Sequence, residues 1–294
     1  MTETFFDALL DGLKDAALSI PILLAAYLLM ELLERSQKLN EGILRGYSHK
    51  AGPALGGLLG VVPQCGISGA AATLFSTGSI TVGTMLAVFF ATSDEMLPVM
   101  LSSLTRPDGG LPVSSIVLIV AGKALAGIVL GYLTDAVLGN WFREQKNIHS
   151  FCEREHCSCD EEEGSVFWSA VKHTVKIALM LIVVNVALNL LLGAIGVERL
   201  SGSVLNKPVI GELLVGLFGM IPNCSVSVVI TESYLSGVIS LGSLFAGLLS
   251  NAGIGLLVLL RTNRRMKENL IIMATMLVLS VAVGIAITLV AGIL

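Results

Sequence analysis

The chain has 294 residues, of which 54% are hydrophobic and 14% charged, and its mean hydropathy is +0.84. This composition excludes an ordinary soluble domain and is typical of an all-α polytopic membrane protein. The net charge of -4 gives no reason to expect a nucleic-acid partner, and five cysteines, three of them in one loop, do not make a disulfide framework.

The predicted elements begin with a mildly amphipathic segment at 1–14, which either lies on the membrane surface or extends the first span. Acidic side chains in this segment argue against a cleavable signal. Apolar segments long enough to cross a bilayer follow at about 16–33, 112–138, 175–195 and 271–294. Two longer apolar stretches run from about 53 to 104 and from 212 to 260.

Each longer stretch is interrupted by a proline, a carboxamide and a cysteine. The two signatures are VVPQCGIS at 61–68 and MIPNCSVS at 220–227. Proline removes a backbone donor and clashes with the preceding turn, so a helix entering either signature should break there. Broken backbone is tolerated at membrane depth only where protein or a watery cavity covers it, and such breaks tend to mark transport sites.

The two halves of the chain superimpose without a gap at an offset of 159 residues. At this offset Pro63 falls on Pro222, Gly78 falls on Gly237, and the flanking spans coincide, with 112 on 271. The sequence therefore predicts a first repeat at 1–140, a linker at 141–172 and a second repeat at 173–294.

Loop charges indicate that the repeats are inverted, because Lys and Arg in short loops favour the cytoplasmic side. The loop at 34–52 carries four basic residues and its counterpart at 193–211 carries two. The loop around Arg106 carries one, whereas its counterpart at 261–267 carries four. Equivalent loops are thus expected on opposite sides, with the linker in the cytoplasm and both termini outside.

Two arrangements fit the first long stretch. The segments at 53–62 and 66–76 are about ten residues each, roughly 15 Å of helix or half of a bilayer core. We favour a re-entrant hairpin tipped by Pro-Gln-Cys, followed by a full span at 80–104. The alternative is a broken span followed by a second hairpin that turns near Thr92-Ser93-Asp94.

Charge within the hydrocarbon is costly and suggests function. The ionisable candidates are Asp94, Glu95, Lys123 and Glu232. One lysine against three acids, with no Arg or His in a predicted span, predicts a cation as cargo. Lys123 is expected to pair with an acid, and Asp94 and Glu95 become ordinary span-end residues if the helix register is shifted.

A mixed set of soft and hard ligands is predicted to bind this cation. Cys65 beside Gln64, and Cys224 beside Asn223, pair a thiolate with an amide oxygen, and Asp94 adds a carboxylate. This mixture favours a borderline divalent metal, with Glu95 or Glu232 as a ligand or proton-coupling group. The alternative for each cysteine is a small buried apolar residue. Further oxygens come from Ser68, Thr92, Ser93, Ser225, Ser227, Ser250 and Asn251.

The linker holds a second cluster of metal ligands. They are His149, Cys152, His156, Cys157 and Cys159, followed by four acidic residues at 160–163. A reducing cytosol would keep these thiols free, although their spacing does not match a zinc finger. A metal trap or sensor is one interpretation, and a solvated linker is the other.

The paired Gly-x-x-Gly-x-x-Pro-[Gln/Asn]-Cys elements at 57–65 and 216–224, with the His/Cys/acid-rich loop, resemble the ten-spanning heavy-metal exporter family. Its members are called manganese transporters or arsenic efflux proteins. The resemblance extends over nearly the whole chain and implies metal export. The sequence predicts six full spans and two hairpins, which agree with the ten spans of the family only if each hairpin arm is counted as one span.

We therefore expect a secondary transporter of a bacterial-type inner membrane that exports manganese or a similar divalent metal by alternating access. No cofactor or catalytic residue is expected, and no P-loop indicates an ATP-driven pump. The expected partners are the metal cation and the lipid bilayer, and a homodimer is left open. The alternatives are an arsenite or organoarsenical permease and an intramembrane enzyme with a cysteine nucleophile, which would lack an activating histidine.

Overall fold

The fold is described from a computed structural model. It describes residues 41–62, 65–93, 95–104, 111–142, 171, 175, 209–263 and 265–293. The predicted segment at 1–14, the first span, almost all of the span at 175–195 and most of the linker lie outside these residues. The described residues form helices and turns without a strand, which confirms the all-α class.

Ten helices make up the described part of the chain. They are α1 (Glu41–Gly60), α2 (Cys65–Ser76), α3 (Val82–Ala91), α4 (Met96–Ser103), α5 (Val113–Phe142), α6 (Ile210–Gly219), α7 (Cys224–Leu235), α8 (Leu241–Ser250), α9 (Ile254–Thr262) and α10 (Met266–Ile293). A ten-residue helix is expected before each signature. Helix α6 has this length, but α1 passes through Pro53 and begins twelve residues before the expected start at residue 53.

Four stretches in the described part are long and apolar enough to cross a membrane. They are Val82–Ser103, Val113–Gly139, Leu241–Thr262 and Met266–Ala291. The first and third are 71% and 89% buried within the protein, whereas the second and fourth are 28% and 22% buried. The long helices α5 and α10 are therefore outer helices with apolar exposed faces, and the other two stretches form the interior.

Both inner stretches are broken near their middle. Helix α3 ends at Ala91 and α8 ends at Ser250, and each is followed by a short turn before the next helix begins. In the second break Gly253 has a φ of 51°, a conformation that glycine adopts without a Cβ clash. The span expected at 80–104 corresponds to the candidate span Val82–Ser103, but its helix is interrupted where the hydroxyl groups of Thr92 and Ser93 donate to nearby backbone carbonyls and compete with the helical pattern.

The helices of the interior repeat at the predicted offset of 159 residues. At this offset the bounds of α2 coincide with those of α7, and the bounds of α3 coincide with those of α8. The caps agree as well, because Thr81 and Ser240 each accept a hydrogen bond of 3.1 Å from the backbone N–H three residues later. Gly78 and Gly237 both have positive φ, 81° and 72°. The opposite orientation of the two repeats stays a prediction.

The outer helices follow a different offset, of 153 residues, which is the separation of their first residues. Their contacts agree with it: the carbonyl oxygen of Gly131 approaches Gly83, and that of Gly284 approaches Gly242. The gapless superposition of 112 on 271 is therefore wrong. Nine residues connect α4 to α5 but only three connect α9 to α10, so the second repeat is shorter by six residues here.

Helices of the two repeats pack against each other at the centre. Helix α2 packs along α9, α7 contacts α4, and α3 contacts α8. Gly255 permits the first of these contacts, because a Cβ there would lie 2.8 Å from the Cβ of Ser68. Helices α1 and α2, on either side of the first signature, pack mainly against other helices rather than against each other. This arrangement brings both helix breaks into the interior.

Candidate functional site

A small cavity lies between the two helix breaks. The first repeat lines it with Thr92, Ser93, Met96 and Lys123, and the second repeat lines it with Ser227, Leu248 and Asn251. Thr92 and Asn251 each lie ten residues after the start of their candidate span, which is roughly 15 Å of helix. Half of a hydrocarbon core is also about 15 Å, so the cavity lies about halfway along both broken spans.

Four of the predicted ligands meet at this cavity. They are Thr92, Ser93, Ser227 and Asn251. Thr92 and Asn251 occupy equivalent positions at the offset of 159, one at the end of α3 and the other at the end of α8. The cavity is therefore shared between the repeats, although its remaining lining is not symmetric.

The three hydroxyl groups of the cavity use their protons on backbone carbonyls two to four residues earlier. The donor–acceptor distances are 2.7 Å for Thr92 Oγ1, 3.0 Å for Ser93 Oγ and 2.7 Å for Ser227 Oγ. A hydroxyl has a single proton, so each of these oxygens retains only its acceptor capacity for a further partner. The cavity wall consequently presents oxygen lone pairs, which suit a cation or another hydrogen-bond donor.

Asn251 and Lys123 each form a hydrogen bond to a backbone group at one of the two helix breaks. The Oδ1 atom of Asn251 accepts a hydrogen bond of 2.8 Å from the N–H of Gly253, which closes the turn after α8. Lys123 reaches inward from α5, and its ammonium group donates to the carbonyl oxygen of Thr92. Carbonyls at the end of a helix lack an intrahelical donor, so the lysine satisfies a group that the break exposes. Lys123 is only 2% exposed and is the charged side chain among the described residues of the cavity wall.

The second signature forms the start of α7. Asn223 is fully buried and caps this helix, because its Oδ1 accepts a hydrogen bond of 3.0 Å from the N–H of Ser225. Cys224 is 2% exposed and lies one helical turn before Ser227. Ser227 is the residue of this signature that lines the cavity, whereas Asn223 and Cys224 do not line it.

The first signature is described only in part. Cys65 begins α2, whereas Pro63 and Gln64 lie outside the described residues. Ser68 is fully buried and faces Gly255 rather than the cavity.

The predicted ionisable candidates have different positions. Asp94 lies outside the described residues, between Ser93 and the half-buried Glu95. Neither Glu95 nor the half-buried Glu232 lines the cavity. Within the described residues, no three His, Cys, Asp or Glu side chains form a group that could hold a metal ion. The predicted linker cluster at 149–163 lies outside them.

Two buried carboxylates within the predicted apolar stretches are absent from the predicted set. Asp135 is 4% exposed and accepts hydrogen bonds from Thr81 Oγ1 at 2.6 Å and from the N–H of Gly83 at 2.7 Å. Glu212 is 1% exposed and accepts a hydrogen bond of 2.6 Å from Thr288 Oγ1. Both residues lie in predicted apolar stretches. The argument that selected Asp94, that a charge within the hydrocarbon is costly and suggests function, therefore also applies to them. Their contacts show that they hold helix ends in position.

A family model described as "Putative, 10TM heavy-metal exporter" matches residues 1–206, more than half of the chain. The matched part contains the first signature, the first helix break and Lys123, and it ends before the second signature. The resemblance, expected over nearly the whole chain, is thus shown for these residues. No curated protein and no solved structure matches the chain.

Proposed function

This chain belongs to that family of heavy-metal exporters, and we propose that it exports manganese or a similar divalent transition-metal cation from the cytoplasm. Family membership and the apolar helices make it an integral membrane protein. Since the family is one of transporters, membership argues against an intramembrane enzyme with Cys65 or Cys224 as the nucleophile.

The single observation that carries this proposal is the oxygen-lined cavity between the paired helix breaks. A cation that leaves water must replace its hydration shell, and hydroxyl, amide and carbonyl oxygens are suitable ligands for manganese-like ions. Thr92 and Ser93 of the first repeat and Ser227 and Asn251 of the second offer such oxygens to the cavity. In the proposed bound state, Cys65, Cys224 and Asp94 add the softer and charged ligands.

Alternating access is the proposed mechanism. In this proposal the repeats are inverted, the hairpin at 53–76 is re-entrant, and the cavity lies at the bilayer midplane, as in transporters built from broken helices. The outer helices α5 and α10 would form a scaffold, while the inner broken helices expose the cavity to either side. The linker would lie in the cytoplasm of a bacterial-type cell, where its His and Cys residues gather metal.

Metal efflux from proteoliposomes tests the proposal with a matched pair of serine variants. Ser227 and Ser233 lie on the same helix, and each donates a hydrogen bond of 2.7 Å to a backbone carbonyl, but only Ser227 lines the cavity. Ser227→Ala is expected to reduce manganese efflux at least tenfold, whereas Ser233→Ala retains it. Equal efflux in the two variants would show that the cavity is not the cargo site.

Arsenite or an organoarsenical is a second candidate cargo, and the position of Lys123 favours it. An ammonium group on the cavity wall disfavours a bare cation but tolerates a neutral or anionic hydroxylated arsenic species, which also seeks thiols. Binding of arsenite and of manganese(II) to the purified protein separates the two. Arsenite binding that requires Cys65 or Cys224, without any manganese binding, would replace the first candidate.

A further inference from the structure

The internal repeat predicts a counterpart of the cavity beside the other broken helix. At the offset of 159, Ser227 corresponds to Ser68 and Leu248 corresponds to Phe89. At the offset of 153 for the outer helices, Lys123 corresponds to Met276. The repeat therefore predicts two similar positions, one beside each broken helix.

The described cavity lies on the Lys123 side. On the counterpart side, the fully buried ring of Phe89 packs against α9, where a Cβ on Gly255 would lie 2.7 Å from its Cε1 atom. Met276 is also fully buried. The counterpart position thus has a neutral, apolar side chain where the cavity has an ammonium group. A lysine is not required by the packing of the repeat, since its counterpart is accommodated as methionine.

From this difference, and on the basis of the proposed function, we propose that the Lys123 ammonium is a tethered cation, which occupies the cargo position of the empty cavity and withdraws when a divalent metal ion binds. The acceptor oxygens of the wall, and above all the carbonyl oxygen of Thr92 at the end of its helix, favour a positive or hydrogen-bond-donating neighbour. Lys123 supplies that partner to the carbonyl of Thr92. A metal ion that takes the same oxygens replaces this contact.

Two properties of lysine suit it to this exchange. Its ammonium is a compact charge on a flexible four-carbon stem, so the group can move away while the helix stays in place. A divalent ion and an ammonium group within a few ångströms repel each other, so both do not occupy the cavity together. Lys123 therefore competes with cargo, lowers its affinity and promotes its release, which a transporter needs as much as binding.

Titration calorimetry with manganese(II) chloride and the purified full-length protein at constant pH tests this role. Lys123→Met introduces the residue of the counterpart position, and Lys123→Gln retains a donor for Thr92 without the charge. Both neutral variants are expected to bind manganese at least tenfold more tightly than the wild type and to release it more slowly in flux assays. Lys123→Arg, which retains the charge, is expected to bind as weakly as the wild type.

Met276→Leu changes the counterpart position and is the control, with unchanged affinity expected. If Lys123→Met does not yield folded protein, Lys123→Gln provides the same comparison. Manganese binding by the wild type that the neutral variants do not tighten, or that they abolish, overturns the tethered-cation role and leaves the proposed function intact. An absence of manganese binding in the folded wild type and in both neutral variants overturns the proposed function itself, and this inference with it.

Discussion

Replacing Asp135 by asparagine is expected to lower the free energy of unfolding by about 2–4 kcal/mol. The carboxylate lies on α5 and accepts two hydrogen bonds at the start of α3, from Thr81 Oγ1 at 2.6 Å and from the N–H of Gly83 at 2.7 Å. Because Asp135 is only 4% exposed, water cannot readily replace it as the acceptor. The carboxylate thus fixes the first broken helix against its outer helix.

The size of this loss depends on which hydrogen bonds of the carboxylate an amide group can still form. Asparagine has one oxygen and one NH2 group. If the oxygen stays with the N–H of Gly83, the Thr81 hydroxyl loses its acceptor and must accept from the NH2 group instead, turning its proton towards Thr84 Oγ1. This loss of a hydrogen bond to a buried charged acceptor costs about 1–3 kcal/mol. The remaining hydrogen bond changes from a charged to a neutral acceptor, which costs about 1 kcal/mol more. The two contributions together give the expected range.

Unfolding of the purified protein in detergent, followed by circular dichroism, measures this change. Thr81→Val removes one of the two donors, and the double variant Asp135→Asn/Thr81→Val completes a thermodynamic cycle. The two effects should not add, because both residues take part in the same hydrogen bond. A loss for Asp135→Asn within about 0.5 kcal/mol of zero, the range of ordinary surface changes, would refute the reasoning. Strict additivity in the cycle would do the same.

Two further substitutions test helix packing and capping by the same measurement. Gly83→Ala is expected to destabilise the protein by about 1–3 kcal/mol or more, because the new Cβ would lie 2.1 Å from the carbonyl oxygen of Gly131. Gly139→Ala, whose Cβ would meet no atom nearer than 3.8 Å, is the control, and equal losses would contradict the close approach. Asn223→Ala is expected to cost about 0.5–2 kcal/mol because it removes the cap of α7, whereas Asn223→Ser retains a capping oxygen and most of the stability. A serine variant as unstable as the alanine variant would show that Asn223 stabilises the protein in another way.

The sequence by itself determined the features that depend on local chemistry and composition. Hydropathy is sufficient to predict an all-α membrane protein, because a backbone in lipid must satisfy its own hydrogen bonds. The Pro-Asn-Cys signature predicts where α7 begins, since proline and a capping carboxamide act on neighbouring residues. The offset of 159 likewise predicts the equal bounds of α3 and α8, because hydroxyl side chains at equivalent positions, Thr81 and Ser240, cap both helices.

The tertiary structure alone decided which of these residues meet. No pattern along the chain predicts that Ser227 reaches the cavity while Cys224, one turn earlier, does not, because the difference depends on how α7 lies against α4. The change of offset from 159 to 153 follows from a shorter connection, which the helix bounds and the contacts between glycines reveal. Lys123 could be recognised in the sequence as a costly buried charge, but its hydrogen bond to the carbonyl of Thr92 could not. That carbonyl is available because a helix on another part of the chain breaks beside the lysine.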